Sequence, residues 1–191
     1  PGSYIQVTPG VRDSFVSPTG TTAESLNLDT PQVIGGAVSP ATLVDTTMGG
    51  MYVGQAFTES GRVTAWSVYG GSFSGERQVT PVLFRLTANG NYEITGVGTT
   101  RTILPNLGQR FADFGLVAGS DGVGAGYFLG WKDGSAALDN AGAVGYTSGG
   151  GTVRFLGTNQ AKAQNVTVGT ELRSVRDDSK LARILLYHKP E

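Results

Sequence analysis

Residues 79–98 read VTPVLFRLTANGNYEITGVG. One run of apolar and β-branched residues extends from Val79 to Leu86, and a second run extends from Tyr92 to Val97. Asn89-Gly90 lies between the two runs. Asn-Gly in this position is the strongest short-range signal for a β-hairpin, because both residues accept the left-handed backbone that the tight turn requires. The stretch therefore predicts one antiparallel hairpin at the centre of the chain.

Short apolar runs also flank this hairpin, and turn residues separate them at intervals of about 8–12 residues. They cover residues 32–34, 51–57, 62–69, 111–117, 126–131, 143–147, 152–156, 165–168 and 181–187. No segment has a sustained 3.6-residue apolar period, so at most a helical turn is expected, in residues 161–164 or 175–180. The pattern predicts an all-β fold, a two-sheet antiparallel β-sandwich of about 8–10 strands arranged as a jelly roll.

The 191 residues fit a single domain. Pro1-Gly2-Ser3 is typical of the residues that remain after a purification tag is removed, so residues 1–3 are interpreted as a tag remnant. Residues 4–50 contain four prolines between short apolar pieces such as residues 4–7 and 14–16. They predict either edge strands, where proline is tolerated, or an extended arm. Residues 4–191 are therefore interpreted as one β-sandwich domain.

Three further local predictions concern turns and loops. Residues 148–151 read Ser-Gly-Gly-Gly and predict a turn between two strands. Residues 171–180 carry many charges and predict a solvated loop before the closing strand. His188, the only histidine, follows that strand close to the C-terminus and is expected to be exposed to solvent.

The composition argues against several classes of function. The net charge of −1 does not indicate the basic surface that binds nucleic acid. The chain also has no run of 18 apolar residues, so no membrane-spanning helix is predicted. The absence of cysteine excludes thiol catalysis, and a single histidine disfavours both a Ser-His-Asp triad and a zinc site. Gly122-Val-Gly-Ala-Gly126 resembles part of a dinucleotide-binding fingerprint, but a strand-like run follows where that motif needs a helix. The chain is therefore predicted not to be an enzyme, with no catalytic residues and no required cofactor.

Calcium is the one cofactor that the sequence leaves open. Asp121, Asp133 and Asp139 stand in Asp-Gly or Asp-Asn pairs on separate loops. Calcium binds six to eight oxygen ligands, and glycine-rich loops supply carbonyl oxygens. Asp-Gly is also an ordinary β-turn sequence. The alternatives are turns alone or a calcium ion held by these three carboxylates.

The aromatic residues give the most specific functional hypothesis. A ring beside polar side chains is a common way to hold a sugar, whose C–H face stacks on the ring while its hydroxyls bind polar partners. The alternative for the tryptophans is a place in the core. The candidate ligand-binding residues are Trp131, Tyr127, Tyr69, Lys132, Asp133, Asp139 and Asn140.

In strand number, glycine-rich loops and aromatics near loops, the pattern resembles jelly-roll carbohydrate-binding modules and lectins. This likeness concerns the fold alone. It implies a secreted or cell-surface recognition module whose partner is a glycan or polysaccharide. The alternative is a structural or adhesion subunit that self-associates into a homo-oligomer, which the low charge and the proline-punctuated segment favour.

Overall fold

The computed structural model describes residues 31–134, 140–157 and 166–191. These residues form thirteen β-strands and no helix. All of the strand pairs are antiparallel. The strands are β1 (Gln32–Gly35), β2 (Met51–Ala56), β3 (Gly61–Tyr69), β4 (Arg77–Leu86), β5 (Tyr92–Val97), β6 (Arg101–Ile103), β7 (Gly108–Phe111), β8 (Ala118–Gly119), β9 (Gly122–Val123), β10 (Tyr127–Asp133), β11 (Tyr146–Gly157), β12 (Glu171–Ala182) and β13 (Ile184–Pro190).

The strands belong to two sheets that curl around the interior. The first has the order β1-β13-β3-β7, with β9 also paired to β3. The second has the order β6-β4-β10-β2-β11-β12-β5-β8, and an additional β4–β5 pairing joins two of its strands. Strands β4, β10, β2, β11, β12 and β5 therefore close into a ring. The all-β, two-sheet architecture confirms the predicted β-sandwich, while the jelly-roll assignment remains a prediction.

Most strands of the ring contribute side chains to two separate cores, because successive side chains point to opposite faces. The inward side chains fill the ring, and they include Val53, Phe84 and Ile94. The outward side chains pack against the first sheet, and they include Tyr52 and Trp131. The ring is thus an apolar layer in its own right, and its outer face forms half of the sandwich.

The predicted hairpin is confirmed. Strands β4 and β5 pair from Val82↔Val97 to Leu86↔Tyr92. Gly90 in the connecting turn has φ of 78°, the left-handed conformation that favours glycine. For residues 4–50 the choice between edge strands and an extended arm remains a prediction, although residues 32–34 lie in β1, at the end of the first sheet. The other short runs before residue 31, and the helical turn expected at 161–164, lie outside the described residues.

In two segments the structure differs from the prediction. The charged residues of one segment had been interpreted as a loop, and the glycines of the other as a turn, but both segments lie in strands. Residues 171–180 form most of strand β12, and neither a solvated loop nor a helical turn is present there. Residues 148–151 lie within the twelve-residue strand β11 as a bulge, with a register shift between Ser148 and Thr152. Gly149 and Gly150 have φ of 72° and 78°, so the glycines permit a bulge rather than a chain reversal.

Two predicted strands are also absent at the positions expected. Strand β7 ends at Phe111, and residues 112–117 form no strand. Residues 166–168 lead into a turn before β12. Phe114 of the first segment is buried in the core between the sheets, and Val166 of the second packs against the core inside the ring, whereas Leu116, Val117 and Val168 are exposed.

His188 is the clearest correction at the level of a single residue. It lies in β13, between its partners Gln32 and Val63 on the neighbouring strands, and it is only 1% exposed. Its ring packs edge-on against Phe57, with 5.4 Å between the ring centroids. Neither ring nitrogen has a hydrogen-bond partner among the described residues. A position three residues from the C-terminus is therefore buried, because β13 is paired on both edges and the His188 ring packs against Phe57.

Burial lowers the pKa of His188 below its ordinary value of 6.5, although the Ser60 backbone and the Glu59 carboxylate oppose this change. On lowering the pH, the imidazole of the unfolded chain therefore binds a proton near pH 6.5, whereas the imidazole of the folded chain binds it only at a lower pH. We expect the free energy of unfolding to be highest above pH 6.5 and to fall as the pH is lowered from 7 to 5. Urea denaturation across this range measures the effect. His188→Phe should reduce the dependence of the free energy of unfolding on pH between pH 7 and 6. An unchanged dependence in this variant would contradict a neutral buried imidazole.

No helix among the described residues could cross a membrane.

Candidate functional site

Three of the predicted ligand-binding residues are buried at the end of β10. Trp131, Lys132 and Asp133 are each 1–3% exposed. Strand β10 pairs with β4 on one side and β2 on the other, and its two faces are covered because one packs in the core between the sheets and the other packs against the core inside the ring. Trp131 stacks on Tyr52 with 5.3 Å between ring centroids and 20° between the ring planes. Its face is therefore occupied by another ring and is not presented to a sugar.

The other predicted residues are separated from one another. Tyr127 lies at the opposite end of β10, where its hydroxyl is near Arg85. Asn140 is partly buried, and its backbone oxygen accepts a hydrogen bond from Gly49 at 2.9 Å. Asp139 lies outside the described residues. Only Tyr69 lines a surface depression that also contains other aromatic and polar side chains.

Of the three carboxylates considered for calcium, the two that the structure describes have different surroundings. Asp121 accepts hydrogen bonds from the Arg62 guanidinium, the shorter at 2.9 Å. Asp133 is buried, and Asp139 belongs to a segment that the structure does not describe. Within the described ranges, no group of three or more His, Cys, Asp or Glu side chains is arranged to hold a metal ion. The calcium hypothesis remains a prediction.

A surface depression of about 610 Å³ lies where β3, β11 and the segment before β2 meet. We call it the tyrosine depression. Backbone hydrogen bonds hold its parts together: Gly145 donates to the Tyr69 carbonyl at 2.8 Å, and Tyr146 donates to the Leu43 carbonyl at 2.9 Å. Both tyrosines are partly exposed. The residues that shape it are Tyr69, Tyr146, Pro40, Leu43 and Ser148.

A second depression, of about 980 Å³, adjoins the first, because Tyr146 and Ser148 line both. We call it the charged depression, and the two together are the groove. Its wall is mostly the outer part of β12. The charged side chains that line it are Asp45, Arg176, Asp177, Asp178 and Lys180.

The charges of this depression are paired with one another. Lys180 Nζ lies 3.0 Å from Asp45 Oδ2 and 3.1 Å from Asp178 Oδ2. Arg176 Nε lies 2.9 Å from Asp178 Oδ1, and its guanidinium stacks 4.6 Å from the centroid of the Phe155 ring. Lys180 Nζ also lies 4.8 Å from the centroid of Tyr146. The network fixes its own side chains, so the polar wall of the groove is pre-organised.

Hydrogen bonds and nearby cations lower the pKa values of the Asp45 and Asp178 carboxyl groups. Burial raises the pKa of Asp45, but the Thr47 backbone N–H and the Lys180 ammonium outweigh it and bring the pKa to about 2. Burial likewise raises the pKa of Asp178, and its hydrogen bonds from Arg176 and Lys180 lower it to below the ordinary value. Both side chains are therefore carboxylates at neutral pH and accept hydrogen bonds.

A small, nearly filled cavity with about 10 Å³ of free space lies beneath the groove. Asp133 lines it, and neither of its carboxyl oxygens has a hydrogen-bond partner among the described residues. Burial, and then the negative charge of Asp45, raise the pKa of Asp133 well above its ordinary value. Asp45 and Lys180 line both this cavity and the charged depression. The cavity therefore places a carboxyl group with a raised pKa behind an ion pair.

Loss of the Lys180 ammonium is expected to destabilise the fold. Lys180→Met would leave Asp45 and Asp178 without their shared cation, at a cost of about 3 kcal/mol because the lysine is almost completely buried. Urea denaturation at pH 7 measures the loss. Lys189→Met, at an exposed lysine of β13, is the control and should cost far less. Equal effects of the two substitutions would contradict the importance of the Lys180 network.

Sequence reasoning found Tyr69 but missed the rest of the groove. Tyr146 was assigned to a strand and given no role, and the charges of residues 171–180 were interpreted as solvated. Their spacing holds one usable signal: Arg176, Asp178 and Lys180 alternate, so they share one face if the segment is a strand. The proximity of Asp45 has no local signal, because 135 residues separate it from Lys180.

The comparisons place the chain in no known class or family: no protein-family model matches it, and neither the curated proteins nor the solved structures contain a significant match.

Proposed function

We propose that this chain is a non-catalytic recognition domain that binds a glycan in the groove. The observation that supports this most is the junction of the two depressions at Tyr146 and Ser148. On one side are two partly exposed tyrosines, and on the other is a fixed set of charged donors and acceptors. A sugar has the same two characters, an apolar C–H face and a rim of hydroxyl groups.

The polar wall suits hydroxyl groups. Asp178 accepts bonds from Arg176 and Lys180 and retains lone pairs that can accept from a sugar hydroxyl. Asp177 has a side chain that is 58% exposed, and Ser148 is exposed where the depressions meet. Because these groups are already held by neighbours, a ligand would lose little free energy in ordering them.

The arrangement favours binding over catalysis. Carboxylate pairs that cleave glycosidic bonds reach the substrate directly, one of them as an acid with a raised pKa. The acid with a raised pKa here is Asp133, which lines the cavity beneath the groove and is 1% exposed. Asp45 and Asp178, which do line the groove, are held by Lys180.

The experiment is a thermal-shift screen of the full chain against soluble oligosaccharides, with and without a chelator. A ligand that binds only the folded state raises Tm, by an amount that grows with its concentration. We expect at least one glycan to raise Tm in both conditions. A response that disappears with chelator would assign binding to calcium instead, and no response to any glycan would remove the proposal.

A structural subunit of a secreted or cell-surface assembly is the second candidate. Leu104 and Leu107, in the turn between β6 and β7, are 50% and 46% exposed, and they lie close to Tyr69 because Leu107 accepts a hydrogen bond from Gly70. Exposed apolar side chains of this kind can be covered by a second copy. Light scattering at micromolar concentration tests this candidate: a strict monomer would remove it.

A further inference from the structure

An amine and a carboxyl group from distant parts of the chain are in contact beneath the groove. Lys180 comes from β12, and Asp45 comes from the segment between β1 and β2. Lys180 Nζ lies 3.0 Å from Asp45 Oδ2. Lys180 is 6% exposed, and its ammonium lies over the rings of Tyr52 and Tyr146 at 4.9 Å and 4.8 Å from their centroids. The pair is therefore enclosed by aromatic rings and largely removed from water.

A third group with a proton to give lies in the same cavity. Asp133 lines it together with Asp45 and Lys180, and both of its oxygens lack a partner among the described residues. Gly142 lies beside both carboxyl residues: its N–H donates to the Asp45 carbonyl at 2.9 Å, and a Cβ added to it would lie 3.1 Å from Asp133 Oδ2. Burial, and then the negative charge of Asp45, raise the pKa of Asp133 well above its ordinary value, which favours its protonated form.

We propose that Lys180 and Asp45 condense into an intramolecular isopeptide bond, with Asp133 as the acid that assists the reaction. The reacting groups also line the charged depression, so this inference is tested by covalent mass, a readout that does not depend on glycan binding.

The condensation balances without any outside reagent. The Lys180 ammonium passes one proton to the Asp178 carboxylate, 3.1 Å away, and becomes a nucleophilic amine. Asp133 lends its proton to Asp45, which becomes a neutral, electrophilic acid. The nitrogen attacks the Asp45 side-chain carbon, the bond from that carbon to one oxygen breaks, and the oxygen leaves as water with protons from the nitrogen and from Asp178. Asp133 regains its proton, so an ammonium and a carboxylate become one neutral amide and one water.

Two physical features favour the reaction here over its counterpart in solution. The fold holds the two groups together, and effective molarities for such fixed pairs reach about 10⁵ M or more. The cavity also excludes most water, which weakens the solvation that keeps an ammonium and a carboxylate charged. The product would tie the segment before β2 to β12, a covalent link that a chain without cysteine cannot make by disulfide.

The mass of the purified full chain, measured after denaturation, tests the proposal directly. We expect a mass one water below that of the sequence, and a protease digest that yields one branched peptide joining residues 45 and 180. A mass equal to that of the sequence would overturn the proposal and leave the pair as an ion pair. A branched peptide that joins any other two residues would overturn the assignment.

Variants give each group its own signature. Asp45→Asn can still react but must release ammonia, so its mass should fall by one ammonia instead of one water. Lys180→Arg keeps the positive charge and should have the full mass of its sequence. Asp133→Asn should slow the loss of water at least tenfold when followed by mass during refolding; wild-type speed would remove Asp133 from the reaction. Lys189→Arg, at an exposed lysine, is the matched control and should cross-link as the wild type does.

Discussion

Gly130→Ala is expected to destabilise the protein by about 3 kcal/mol, because it overfills the inside of the ring. A Cβ at this position would lie 2.2 Å from Phe84 Cε2 and 2.5 Å from the Tyr52 backbone oxygen. Phe84 is fully buried in the inner core, and the Tyr52 oxygen belongs to a paired strand, so neither can move away easily. Urea denaturation, or Tm by circular dichroism, measures the change.

Gly54→Ala on the adjacent strand β2 is the matched control. The nearest atom to its added Cβ is Trp131 Cζ3 at 3.6 Å, an ordinary contact distance. Neither glycine has a left-handed backbone, so the two substitutions differ in the space around them and not in backbone strain. We expect Gly54→Ala to change the free energy of unfolding by less than about 1 kcal/mol. Equal costs at the two positions would contradict a closed and filled ring.

Tyr146→Ala is expected to weaken glycan binding about tenfold or more, equivalent to about 1.4 kcal/mol. Tyr146 lines both depressions, so its loss removes stacking surface at the middle of the groove. Tyr146→Phe retains the ring and should retain most of the affinity. Titration calorimetry with a glycan identified by thermal shift measures all of these values.

The control for Tyr146 is Tyr127→Ala. Tyr127 is also partly exposed, but it lies at the far end of β10 and lines neither depression. We expect its substitution to leave the affinity unchanged. If Tyr127→Ala weakened glycan binding and Tyr146→Ala did not, the binding site would lie at the far end of β10, and binding in the groove would be contradicted.

The local part of the fold was predictable. Asn89-Gly90 and its flanking runs gave the β4–β5 hairpin, because a two-residue turn fixes both the reversal and the pairing. The closure of the ring was not predictable. It depends on the pairing of Glu171 with Glu93, two residues 78 positions apart, and no short sequence pattern encodes such a pairing. The same holds for the paired charges of β12, whose partner Asp45 comes from the other end of the chain.

The site was predictable only where one side chain carried the signal. Tyr69 was found because period-two alternation along β3 sets it on the face opposite Trp66, which is fully buried. Trp131 was predicted from its place at the end of a strand, beside Lys132 and Asp133, but the two cores cover both faces of β10, and a sequence pattern does not say which strand is covered on both faces. Tyr146 joins Tyr69 through the Gly145 hydrogen bond to the Tyr69 carbonyl, a contact that depends on the tertiary fold.

The most direct test of the account is a chemical-shift titration of the isotope-labelled full chain with a glycan that raises its Tm. The account predicts saturable changes confined to the groove, strongest at the amides of Tyr146 and Ser148 and present at Tyr69 and Asp178. The residues around Tyr127 should not shift. Saturable changes centred elsewhere, or no saturable change with any glycan, would contradict glycan recognition by the groove.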